Sequence, residues 1–146
     1  MKRILILVEG QTEENFVRNL LTPHLERFDI YPTSVLVDTK RDETGLKYKG
    51  GVSNYQKIRR GVIRLLHDTN AVAVTTMLDF YGLPQDFPGR DEARQGVDCQ
   101  EKVARGEQAF AEDINDRRFI PYLMLHEYEA MLFTAPDKIA ACSTPT

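Results

Sequence analysis

The chain has 146 residues, a length at which one domain is the simplest organisation and about 68–70% of the unfolded surface can be buried. With 42% hydrophobic and 28% charged residues it has the make-up of a soluble globular protein, and no apolar run approaches the ~18 residues of a membrane span. A net charge of −3 excludes a protein that coats nucleic acid through bulk positive charge, and two widely separated cysteines, Cys99 and Cys142, exclude a disulfide framework or a paired-cysteine zinc site.

The amino terminus, MKRILILVEG, begins basic as a signal peptide does, but Glu9 interrupts the apolar run Ile4 to Val8. A cytoplasmic protein without a membrane segment is expected. That run has the continuous apolar pattern of a strand covered on both faces, as in parallel sheets. Thr12 is the expected cap of a helix whose apolar positions are Phe16, Val17, Leu20, Leu21, Leu25 and Phe28, with Pro23 kinking or splitting it. Thr33 to Asp38 reads as a second strand, and the glycine-containing polar segment from Lys40 to Val52 as a loop.

Ser53 and Gln56 have the spacing of a capping box that opens a helix through about His67. Tyr55, Ile58, Val62, Leu65 and Leu66 form its apolar side, and Lys57, Arg60 and Arg64 a basic stripe opposite. Charge is segregated here: from Lys40 to Arg64 eight basic residues stand against two acidic ones, a local charge of +6. Ala71 to Leu78 reads as a third strand, followed by Asp79 and an irregular stretch, FYGLPQDFPGRD. A helix is expected from about Val97 to Ile114, with Cys99, Val103, Gly106 and Phe110 on one face. Phe119 to Leu125 reads as a fourth strand, placed near an edge or at a bulge by Pro121, and HEYEAMLF as the start of another helix. Strands alternating with helices indicate an α/β fold with a mainly parallel sheet of about four strands and helices on both faces. One domain over residues 1–139 and a tail over residues 140–146 are expected.

Ligands of open parallel sheets bind beyond the carboxyl ends of the strands. Glu9 follows the first strand, Asp79 the third and Glu127 the fourth, so three segments deliver carboxylates to one edge. Close like charges raise one another's pKa unless a cation offsets them, and hard ions such as Mg²⁺ take such oxygen ligands. The bland readings are specific. Glu9 can be a solvated strand end; Glu13 and Glu14 suit the dipole of a first helical turn; Asp79 can bond amides of the adjoining turn. His126 more often serves as a hydrogen-bonded structural residue than as a ligand. Phe80, Tyr81 and Phe87 can either stack on bases or pin their loop to the core.

Three segments, ILILVEGQTEENFV, TTMLDFYGLPQDFPG and FIPYLMLHEYEAMLF, resemble in order an uncharacterised bacterial family of unknown function related to the Toprim domains. Toprim is the metal-binding, Rossmann-like α/β fold of topoisomerases, primases and nucleases of the overcoming-lysogenization-defect type. The resemblance implies a Toprim-like fold, and it implies that Glu9 matches the Glu after the first strand. Asp79 matches the first Asp of an Asp-x-Asp whose second position here is Tyr81, so Glu13, Asp86 or Glu127 would have to supply the missing oxygen. It also implies a further helical segment in the family beyond this chain's end, so that the chain is expected to be a truncated form.

The activity implied is metal-assisted phosphoryl transfer of nuclease type. Glu9, Asp79 and Glu127 are the catalytic candidates; Glu9, Glu13, Asp79 and Glu127 the ligands of Mg²⁺ or Mn²⁺; and Lys47, Lys49 and Arg60 the substrate-binding bases for a nucleic acid. Related nucleases carry an ATPase in the same chain, whereas no Gly-rich phosphate loop ending in Lys-Ser/Thr occurs here, so an ATPase partner of a bacterial defence module would be separately encoded. The alternative is a non-catalytic Toprim-derived subunit that binds another protein. A receiver-like phosphoacceptor fits less well, since His126 and Glu127 stand where it wants a Lys. A haloacid-dehalogenase-type phosphatase is excluded by the lack of an Asp-x-Asp after the first strand.

Overall fold

Strand β1 (Lys2–Val8) is the centre of the sheet because its apolar residues alternate between two cores. Leu5 and Leu7 face one cluster, and Ile6 and Val8 face the other. The computed structural model describes residues 1–37, 54–126, 130 and 133–137. β1 pairs in parallel with β2 (Ile30–Leu36) on one side and with β3 (Ala71–Asp79) on the other. β3 in turn pairs in parallel with β4 (Phe119–Ile120) and with β5 (Leu123–Met124), giving the order β2-β1-β3-β4 with β5 also beside β3. The α/β class and the mainly parallel sheet expected from the sequence are therefore observed.

The second strand begins three residues earlier than its sequence pattern suggests and ends at Leu36. Lys2 N–H donates to the Asp29 carbonyl and Val37 N–H to the Val8 carbonyl. In an unbroken parallel register, odd-numbered residues of β2 therefore turn their peptide groups toward β1, and the ring nitrogen of Pro32 lies on the outer side. The expected fourth strand is split at Pro121 into β4 and β5. Across the break the hydroxyl of buried Thr76 accepts from Tyr122 N–H at 3.1 Å and donates to the Tyr122 carbonyl at 2.8 Å, so a side chain replaces the missing ladder bonds.

The first helix departs from expectation in two ways. Its cap is Gly10, whose carbonyl accepts from Glu14 N–H at 3.1 Å, and Thr12 lies inside helix α1 (Gln11–Phe16). Pro23 then forces an irregularity, because it has no N–H for the carbonyl four residues back and its ring crowds that carbonyl. The chain answers with a π-helical turn (Val17–Leu21) before α2 (Thr22–Glu26). There both the backbone N–H and the hydroxyl of Thr22 reach the Val17 carbonyl, the hydroxyl at 2.7 Å. The extra residue in that turn rotates the face that α2 presents. Val17 stays buried, but Leu20 and Phe28, expected on the apolar side, are exposed by 62% and 61%.

α3 (Tyr55–Leu66) buries the five apolar residues read from the sequence. Its cap is Asn54, whose side-chain oxygen accepts from Lys57 N–H at 3.1 Å, where the spacing favoured Ser53, a residue outside those described. After the short α4 (Arg90–Arg94), α5 (Cys99–Ile114) is capped by Asp98, which accepts from Glu101 N–H at 2.8 Å. Gly106 lets α5 sit close to the sheet: a β-carbon there would stand 3.2 Å from Leu123 Cδ1 and 3.3 Å from Phe80 Cε2. Phe110 joins α5 to the first core through edge-to-face contacts with Phe87 at 5.1 Å and Phe119 at 4.8 Å. Cys99, expected on the same face, is exposed at the first turn. Among the described residues no helix is long and apolar enough to cross a membrane.

The α1–α2 segment covers the Ile6 and Val8 face, while α3 and α5 cover the opposite one. From β1 the chain moves outward to β2, then returns across the sheet to β3 on the other side of β1. The carboxyl ends of β1 and β3 thus flank the point where the strand order reverses, the place where doubly wound sheets open a crevice.

Candidate metal centre at the strand ends

Glu9 and Gly10 follow β1 directly, and Asp79 is the last residue of β3. The register Val8↔Met77, extended by two residues, sets Asp79 beside Gly10. Glu9 Oε2 accepts the backbone N–H of Asp79 at 3.5 Å, which joins the two acids at the crevice. Asp79 Oδ1 accepts from Tyr81 N–H at 3.2 Å, an Asx-type turn that turns the chain away from the strand. Glu13, in the first turn of α1, brings its Oε2 within 3.1 Å of the place a β-carbon would take on Gly10. Gly10 has extended backbone angles, so its service here is space: any side chain would press on the Glu13 carboxylate.

Glu9, Glu13 and Asp79 are half-buried and are delivered by three different elements. Among the described residues no group of three His, Cys, Asp or Glu side chains is close enough to enclose an ion. The site consists of Glu9, whose carboxylate accepts the Asp79 amide, and Asp79, whose carboxylate accepts the Tyr81 amide, with the Glu13 carboxylate against Gly10. That donor set fits a hard divalent cation of the Mg²⁺ kind, which keeps several waters and uses one or two carboxylates; it does not suit a soft metal that wants thiolate or imidazole.

Glu127, Lys47 and Lys49 lie outside the described residues. Glu127 comes three residues after Met124, which pairs with Asp79 itself. Arg60 is exposed in the middle of α3. Asp86, the other substitute ligand, accepts from Tyr55 N–H at 2.9 Å at the start of α3. His126 is exposed.

Of the three aromatic residues after Asp79, Phe80 and Phe87 are pinned in the core, whereas Tyr81 is half exposed. The Tyr81 hydroxyl lies 4.0 Å from Cys99 Sγ, and this contact pushes its pKa up while the Arg94 charge pulls it down. Sequence pattern alone does not bring Arg94 and Cys99 together, because α4, which carries the former into range, has a glycine- and proline-rich approach without helical periodicity. A second tyrosine, Tyr55, is buried and hydrogen-bonded to Asp113; burial first, and then that carboxylate, push its pKa far above the ordinary value.

No curated protein sequence and no solved structure matches this chain. One family model does, the Domain of unknown function (DUF4276), and it spans residues 8–146, from the end of β1 onward and through Glu9, Glu13 and Asp79. The chain therefore belongs to the DUF4276 family.

Proposed function

We propose that the protein is a Mg²⁺- or Mn²⁺-dependent, phosphodiester-acting protein of nuclease type, with a Toprim-like arrangement at the β1 and β3 ends. The observation that carries the reading is the meeting of Glu9 and Asp79 at the reversal point of the strand order. Acids delivered by two strand ends to such a crevice are the kind of oxygen donors that a hard divalent cation uses. Glu9 and Asp79 would hold the ion, and waters or substrate oxygens, rather than the Glu13 carboxylate, would fill its remaining positions. A divalent ion there supplies Lewis-acid polarisation of a phosphate oxygen and a more acidic water. The chain's own share is to fix both carboxylates through the Asp79 and Tyr81 amides, so that little reorganisation remains when the ion binds. A nucleic-acid substrate is favoured by the +6 segment from Lys40 to Arg64, and a separately encoded ATPase of a defence module is the partner this reading favours.

A second reading, a non-catalytic protein-binding subunit, is favoured by a different observation. On the α1–α2 side of the sheet lies an apolar cavity of about 270 Å³ whose lining includes Phe16, Leu21, Met77 and Tyr122. Leu20 and Ile120 are also exposed. Calorimetry decides the first question: Mn²⁺ should bind wild type and lose its affinity in Glu9→Gln and Asp79→Asn, and equal affinity in all three defeats the metal site. Activity is decided separately. If supercoiled DNA, linear DNA and RNA all survive Mn²⁺-loaded protein supplied with a neighbouring ATPase, the binding-subunit reading takes over.

A further inference from the structure

We propose that Tyr81 is a base-stacking platform beside the carboxylate pair and that the substrate is a single-stranded nucleic acid; this rests on the phosphodiester reading. Exposure sets the residue apart. Phe80 and Phe87 are 4% and 3% exposed and belong to the core, but Tyr81, between them in the same loop, leaves 50% of its surface in solvent. An aromatic ring so placed usually gains by turning inward, and this one is held at the surface by its contacts.

Its backbone N–H is tied to Asp79 Oδ1 at 3.2 Å, and its ring meets Phe80 edge-to-face at 5.1 Å and 82°. Its hydroxyl approaches Cys99 Sγ on the first turn of α5. A fixed, half-exposed ring loses little conformational freedom when a planar group stacks on it.

Position supplies the rest. Only one residue separates Tyr81 from Asp79, and the Asx-type turn draws the two together, so a base on the ring brings its own sugar-phosphate to the acids. In a duplex the faces of the bases are hidden in the stack, and a protein ring can reach them only in unpaired strands or after unstacking. The combination of an exposed stacking ring and the acids of the proposed metal site next to it therefore selects an unpaired nucleotide over a duplex.

The test uses the whole chain with Ca²⁺ in place of Mg²⁺, and fluorescence anisotropy of a labelled oligothymidylate of about 12 nucleotides against a duplex of the same length. The single strand should bind more tightly; Tyr81→Ala should weaken it by about tenfold, whereas Tyr81→Phe and Tyr81→Trp should stay within about twofold of wild type. Preference for the duplex, no binding of either probe, an unaffected Tyr81→Ala, or a Tyr81→Phe as weak as Tyr81→Ala each overturns the proposal, the last by showing that the hydroxyl and not the ring matters. Calorimetry with Mn²⁺ alone keeps the two ideas apart: metal binding without Tyr81-dependent strand binding removes this inference and leaves the metal site, whereas wild type that binds no metal removes the reading beneath it.

Discussion

Glu9 and Asp79, 70 positions apart in sequence, are joined by one hydrogen bond in which Glu9 Oε2 accepts the Asp79 N–H at 3.5 Å. The contact holds the end of β1 to the end of β3 where the ladder between them stops, and it uses one acid's carboxylate and the other's backbone. The Glu9 side chain is thereby kept at the crevice.

A ligand that binds the folded state alone raises stability with its concentration, by about 2.7 kcal/mol at one hundred times its Kd. Thermal unfolding of wild type should therefore move upward as Mg²⁺ is raised. Asp79→Asn and Glu9→Gln keep an acceptor or donor of the same shape, so their metal-free stability should stay within about 1 kcal/mol of wild type, with no response to Mg²⁺. Differential scanning calorimetry across a Mg²⁺ series checks both expectations; an equal rise in all three proteins counts against ion binding by these carboxylates.

Alkaline stability should report Tyr55. Burial and the Asp113 carboxylate raise its folded-state pKa above the unfolded value of about 10, so the folded chain keeps a proton that the unfolded chain releases. The contribution is therefore complete below about pH 10 and is lost as pH rises past it, at up to about 1.4 kcal/mol per pH unit. Urea unfolding between neutral and strongly alkaline pH should show that fall in wild type and a shallower one in Tyr55→Phe. The variant should also lose about 1 kcal/mol at neutral pH through the missing hydrogen bond to Asp113.

Arg118 ties together the end of the sheet opposite the acids. Its Nη1 donates to the carbonyls of Asp68 at 3.1 Å and Ala71 at 3.3 Å, and its Nη2 to the carbonyl of Leu66 at the end of α3. Arg118→Ala should cost about 2–3 kcal/mol in chemical denaturation, since it removes hydrogen bonds from one charged guanidinium to three carbonyls. Arg118→Lys should recover only a minor part, because an ammonium cannot match the fork. Metal binding at the far end should be unchanged in both.

Gly61 tests how closely α3 lies on β1. A β-carbon there would come within 2.9 Å of Leu7 Cδ1 and 3.0 Å of Leu7 Cδ2, and Leu7 is itself buried. Gly61→Ala gains about 1 kcal/mol of helix propensity but overpacks the core by about 1–3 kcal/mol, so the variant should be no more stable than wild type. Pairing it with Leu7→Val should recover stability, which a double-mutant cycle in urea measures.

What the sequence made legible was periodic. The continuous apolar run at Ile4 to Val8 and the mostly apolar stretch Ala71 to Leu78 located the central strands, and the spacing of Ile58, Val62, Leu65 and Leu66 located α3 and its buried side. The approach of Glu9 to Asp79 followed from parallel strands ending in acids. Local exceptions were not legible. Whether Ser53 or Asn54 caps α3 depends on the φ and ψ of single residues, and the register after Val17 depends on how the backbone absorbs Pro23. The role of Arg118 was invisible because its partners are carbonyls, which every residue has, and the exposure of Tyr81 between two buried phenylalanines has no periodic signature.

Pro32 bears on how the molecule meets its own copies. A strand approaching the outer side of β2 would meet a peptide nitrogen without a proton near the middle of that edge, and one rung of any new ladder would be lost. At the other end β4 has two residues and β5 two more, too few for a long intermolecular strand pair. Among the described residues, growth of the sheet from chain to chain is thus made less favourable at both margins. The side-chain surfaces of those residues are then the freer route for contacts between copies, and these can be altered one residue at a time without disturbing the sheet.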